Sequence, residues 1–250
     1  MDHQFLLEIC CGSAEDAIAA FAGGASRVEL NSDLFHGGLT PTLGELEAVK
    51  SHCPSLKVMC MVRPREGGFC YSDVEYEVMK RDARLFLAHG ADGIVFGFLN
   101  ADGTVNADRT REMRNLIGDK EAVFHRAIDV TPDVFAALDV LTDCGITRVL
   151  TSGQKPTVPQ GLNTIKAMMA HVGSRMQILP GGGIEPDNIA FVRESLQARQ
   201  LHAAIHRTRY DLSTMGNQSI YYGGVIYPPE DRHSVTHAED VRGLIGSAGA

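Results

Sequence analysis

Residues 122–150 run AVFHRAIDVTPDVFAALDVLTDCGITRVL and hold one complete unit of the fold. The opening Ala122–His125 is almost continuously apolar, as a strand covered on both faces reads. Thr131-Pro132-Asp133 then starts a helix: a side-chain oxygen can take a first-turn N–H, and proline sits where its missing N–H costs nothing. Gly145 falls where that helix must end in a left-handed residue, and Arg148–Leu150 begins the next strand. Strand, helix and strand at this spacing predict a βα unit of a parallel sheet.

The same rhythm extends in both directions. Further candidate strands are Phe5–Cys10, Arg27–Leu30, Lys57–Val62, Gly93–Phe96, Gln177–Leu179 and Ala203–His206. Ser13, Ser72 and Glu185-Pro186-Asp187 mark other helix starts, and Gly23-Gly24 and Gly90 other helix ends. Eight units in 250 residues predict an α/β fold, a single (β/α)8 TIM barrel spanning residues 1–250 as one domain. A doubly wound open sheet shares the periodicity, but eight consecutive units at this length favour closure. The rhythm breaks at 207–235, which carries Tyr210, Tyr221, Tyr222 and Tyr227 among glycines and prolines before a short last helix near His237–Ile245. Such a segment serves as a packed excursion, an oligomer contact or a lid over the barrel mouth.

Composition narrows the function. A net charge of −8 repels nucleic acid and anionic lipid. No apolar run approaches the ~20 residues of a membrane span, and Glu8 interrupts the first apolar stretch too early for a signal peptide. A cytosolic protein is expected. Its six cysteines should then be free thiols, and without a C-x-x-C pair they do not describe a zinc site.

Catalytic groups of such barrels gather at the carboxyl ends of the strands. Glu8, Glu29, Arg63, His125, Asp129 and His206 fall there, the two glutamates each breaking an apolar run and so requiring cationic partners. Read conservatively, Glu8, Glu29, Arg63 and Asp129 plug the barrel with salt bridges. With His125 and His206 added, the set suits acid/base chemistry, and Arg63 suits a carboxylate or phosphate. Glycine turns at Thr151-Ser152-Gly153 and Gly181-Gly182-Gly183 can offer N–H groups to an anion, with Arg65, Arg207 and Arg209 as further candidates. This combination describes a lyase or isomerase of a small anionic or phosphorylated metabolite. No strand end offers a lysine for Schiff-base chemistry.

The sulfur atoms point elsewhere. By alternation Glu8 and Cys10 share a face while Cys11 turns away, so the adjacent pair chelates only if the strand bends. If Arg63 faces inward, Met59 and Met61 do too, and with Cys10 they are soft donors suited to Cu(I). Taken as packing, the same thiol and thioethers simply fill apolar space.

Leu7-Glu-Ile-Cys-Cys, Arg27-Val-Glu-Leu, Gly37-Gly-Leu-Thr-Pro, Arg63-Pro-Arg-Glu-Gly-Gly-Phe-Cys-Tyr-Ser, Phe124-His-Arg-Ala-Ile-Asp, Leu150-Thr-Ser-Gly-Gln and Gly181-Gly-Gly-Ile together resemble the CutC copper homeostasis family. The resemblance covers about residues 5–206 and fades beyond Arg207, and His36 stands where an acidic residue is expected. It implies a cytosolic (β/α)8 barrel tied to copper tolerance, with copper, as Cu(I), at the early cysteines Cys10 and Cys11. Copper homeostasis and catalysis on an anionic metabolite therefore both stand as expectations, and a homo-oligomer is compatible with either.

Overall fold

The computed structural model describes residues 5–223 and 230–249. Eight parallel strands form the barrel: β1 Leu6–Cys11, β2 Arg27–Leu30, β3 Lys57–Met61, β4 Gly93–Phe96, β5 Glu121–Phe124, β6 Arg148–Thr151, β7 Gln177–Pro180 and β8 Gln200–Ala203. The strands follow one another around the sheet in chain order, β1 also pairs with β8, and a parallel bridge from Gly181 to His202 closes β7 onto β8. Closure removes the doubly wound alternative. The helices are α1 Ala14–Ala22, α2 Leu43–His52, α3 Asp73–Ala88, α4 Ala107–Ile117, α5 Val134–Asp143, α6 Val158–Val172, α7 Ile189–Leu196 and α8 Ala238–Ser247.

Side-chain alternation sorts the strands into two cores. Leu7, Ile9, Cys11, Val28, Leu30, Val58 and Cys60 face outward and pack beneath the helices. Met59, Met61, Val95 and Val123 form a small apolar plug inside the barrel. Arg63 follows Met59 and Met61 inward, as alternation requires.

Helix starts obey the capping chemistry in most places. The Ser13 hydroxyl accepts from Asp16 N, and Ser72 forms a reciprocal box with Glu75. Before α5 the capping oxygen belongs to Asp133 rather than Thr131. Glu185-Pro186-Asp187 is a turn that precedes α7, whose N-cap is Asn188.

Two expectations need correction. The last barrel strand lies three residues earlier than Ala203–His206, at Gln200–Ala203, because polar Gln200 and His202 belong to its inward face. The segment after it is not irregular throughout: β9 Arg207–Tyr210 and β10 Arg232–Val235 pair antiparallel as an exposed ribbon. Arg209 reaches Glu15 on α1, Arg207 reaches Asp240 on α8, and Asp16 accepts Thr236 N, so the ribbon is anchored beside the barrel mouth. Tyr227 lies outside the described residues.

Candidate functional site

Register builds the site from the bottom. Glu8 on β1 pairs with Arg27 on β2 and with His202 on β8. All three side chains are buried. Glu8 takes one hydrogen bond from Arg27 Nε and lies 2.8 Å from His202 Nδ1. Burial would raise the Glu8 carboxyl, but the Arg27 guanidinium and the His202 hydrogen bond outweigh it and hold it at about 2. Below this pair, Arg148 meets Glu121 and Gln177, and Arg27 also reaches Gln200.

One layer higher, Cys10 and Glu29 face each other across β1 and β2. Cys10 Sγ, a Glu29 carboxylate oxygen and a His202 ring nitrogen all lie within 4.8 Å of one another. Cys10 Sγ is 3.6 Å from Glu29 Oε2, which is 3.8 Å from His202 Nε2 and accepts from Asn31 Nδ2 at 3.0 Å. Burial raises the Glu29 carboxyl, His202 opposes the rise, and Glu8 adds to it. Burial lowers His202, yet Glu29 and Glu8 together leave it raised. Burial and Glu29 push the Cys10 thiol well above its ordinary value. Metal binding here must therefore displace protons.

This trio opens onto a cavity of about 740 Å³ at the carboxyl ends of the strands. Met61, Arg63, Phe69, His125, Arg126, Gly182, Gly183 and His206 also line it. Its size is in the range of small-molecule sites.

On the β3 and β5 side, the Arg63 Nη1 donates to the carbonyls of His36 and Gly38 and Nη2 to that of Gly67. Phe69 lies over both its guanidinium, at 5.5 Å, and the His125 ring, at 4.9 Å between centroids. His125 Nδ1 accepts from Ala127 N at 3.1 Å. The ring is neutral, because burial and the Arg63 charge lower it to about 3. Its proton therefore sits on Nε2. The ring also lies so close to Gly97 that an added Cβ would stand 2.4 Å from Cε1.

The six-residue ring expected at the mouth is thus redistributed. Glu29, Arg63, His125 and His206 line the cavity, His206 as an exposed residue beyond the end of β8. Glu8 lies beneath it, fixed by Arg27 and His202, and is not free to act as a base. Asp129 stands behind β6, where its carboxylate accepts from Ser152 N at 3.0 Å, Gln154 N at 3.1 Å and Thr151 Oγ1 at 2.5 Å, and pairs with Arg126. That carboxylate occupies the N–H cradle expected to hold an external anion at Thr151, Ser152 and Gly153. Arg65 is likewise engaged, by Glu75 and by the carbonyls of Glu66, Gly68 and Cys70. Gly182 and Gly183 face the cavity, whereas Gly181 is absorbed in barrel closure: a Cβ there would meet Leu150 at 2.6 Å and His202 at 2.8 Å. Arg207 and Arg209 brace the ribbon.

Cys11 turns to the outer core, its thiol on the Ile9 carbonyl, so the adjacent cysteines do not converge. The third member of the donor set is His202, missed because the apolar run Ala203-Ala204-Ile205 drew the strand toward His206. Alternation within Gln200-Leu-His-Ala was the available signal. Arg27 was equally visible, since it shares a face with Glu29.

The model of the CutC family matches residues 5–207. The family protein CutC of Treponema denticola is 50% identical over 241 residues, which cover 96% of this chain and 98% of that protein. The copper homeostasis protein cutC homolog of Homo sapiens is 39% identical over 97% of this chain and 88% of its own length. Among solved structures, the copper homeostasis protein CutC of Streptococcus agalactiae aligns with a TM-score of 0.76 at 28% identity, over 80% of this chain and 98% of that one.

Proposed function

Since this chain belongs to the CutC family, we propose that it serves copper homeostasis by binding copper, as Cu(I), in the reducing cytosol. The observation that carries this is the convergence of Cys10, Glu29 and His202 within 4.8 Å at the floor of an open cavity. The donor chemistry fits. A thiolate is the soft ligand that Cu(I) prefers, an imidazole is a common partner, and Met61 lines the same cavity. Glu29 and Glu8 supply negative charge against the cation. Glu8 also holds His202 Nδ1, leaving Nε2 toward Cys10 and Glu29, the outer-shell arrangement that orients a metal-binding histidine.

The ligand set offered is therefore Cys10, His202 and Glu29 in place of Cys10 and Cys11. Acid/base catalysis on a metabolite is less well supported, because Glu8 and Asp129 are both committed to partners within the fold. No helix among the described residues is long and apolar enough to cross a membrane.

An anaerobic titration of Cu(I) against a competing chelator tests the assignment. Cys10→Ser should lose at least about tenfold in affinity, a difference of about 1.4 kcal/mol, while Cys11→Ala should bind as wild type does. Equal binding by wild type and Cys10→Ser would remove the copper assignment. Affinity should also rise with pH, by about tenfold per unit for each proton displaced.

A further inference from the structure

Among the described residues, one buried cation at the mouth has no counter-ion. Arg63 is 7% exposed, and among the described residues no carboxylate lies within ion-pair distance of it. Three carbonyls accept from its Nη groups and the Tyr71 hydroxyl interacts with the guanidinium, yet among the described residues its Nε–H has no acceptor. His125, 4% exposed, carries its proton on Nε2, and that N–H is also without an acceptor. Both residues line the cavity, and Phe69 covers both. A buried guanidinium without an anion and two buried N–H donors without acceptors are each costly. Their coincidence on one cavity wall describes half of a binding site.

We propose that the cavity receives a small carboxylate, whose two oxygens accept from Arg63 and His125 beneath Phe69. A planar carboxylate can accept from one N–H donor on each oxygen and supplies the single negative charge that Arg63 lacks. A phosphate dianion fits less well, since Glu29 and Cys10 share the cavity and the N–H cradle beside β6 is already filled by Asp129. Copper is not required: β5 stands four strands from β1 around the barrel, so His125 lies across the mouth from Cys10. The carboxylate site and the metal site can fail separately. Where both hold, the cavity takes an organic acid and a copper ion on opposite sides of the mouth.

Calorimetric titration with acetate and glycolate, and with inorganic phosphate as comparator, tests this on the metal-free protein. The expected result is saturable binding of a carboxylate with a Kd in the millimolar range or tighter, weakened about tenfold or more by His125→Gln or Arg63→Lys and unchanged by Cys10→Ser. No saturable carboxylate binding, a preference for phosphate, or binding by both variants as tight as that of wild type overturns the proposal. Should either variant fold poorly, the wild-type protein decides: acetate should shift the His125 Nε2–H proton resonance downfield. Acetate binding without that shift places the ligand elsewhere and overturns it as well. A wild-type protein that binds acetate but not Cu(I) would sink the copper assignment alone.

Discussion

At the scale of single residues, Glu8 is expected to set much of the acid limit of the fold. Its carboxyl is held at about 2 against an ordinary 4.5, so its contribution is present above pH 4.5 and is lost as pH falls toward 2. The difference is worth about 3 kcal/mol. His202 has the opposite sign. Raised in the fold, it stabilises fully below its ordinary value of 6.5, and that contribution disappears as pH climbs through the raised value. Urea unfolding followed across pH should therefore show greatest stability between these limits. Glu8→Gln should cost about 3–5 kcal/mol by leaving Arg27 without its charge partner, and should flatten the acid limb. An unchanged acid limb would show that Glu8 does not control it. The two glutamates were legible in sequence because each breaks an apolar strand. Their partners were not, since which cation meets Glu8 depends on how β1, β2 and β8 align, and that alignment is a property of the closed barrel.

At the scale of elements, the strands that read correctly are those whose apolar run coincides with the paired residues, such as Arg27–Leu30 and Gly93–Phe96. β8 misled because its inward face is polar and the apolar residues that follow it are not paired. The ribbon β9–β10 was hidden for a related reason: nearly all its residues are exposed, so no alternation between buried and solvent faces marks it. The turn after β6 announced itself through Thr151-Ser-Gly, but sequence could not reveal that Asp129 fills it. Asp129→Asn should weaken that turn, costing about 1–3 kcal/mol for the charged hydrogen bonds lost. It should also create a phosphate-dependent rise in thermal midpoint that wild type lacks. The same rise in wild type would mean that the cradle is open after all. Just past the end of β4, Gly97→Ala should push the His125 ring from its seat. Overpacking of this kind costs about 1–3 kcal/mol, and circular dichroism melts together with the His125 imidazole resonances would register it. An unmoved His125 resonance would contradict the close contact.

For the whole molecule, eight regularly punctuated βα units made the barrel readable, because each unit carries its own strand pattern, cap and stop. Closure itself was not readable, since it depends on the last strand meeting the first. It rests on unequal joints. β1 and β2 are held by a four-residue register, and so are β6 and β7, whereas among the described residues β7 meets β8 through one backbone bridge, from Gly181 to His202, and a side-chain hydrogen bond from Gln200 to Gln177. A ring of staves fails first at its weakest joint, and here that joint includes one of the three proposed copper ligands. Native-state hydrogen exchange should find the amides of β7 and β8 opening at lower free energy than those of β1 and β2. Copper held between His202 and Cys10 would restrain β8 from the far side, so loading should slow exchange along that seam more than anywhere else in the barrel. Occupancy of the site would then be written into the mechanical stiffness of the whole ring.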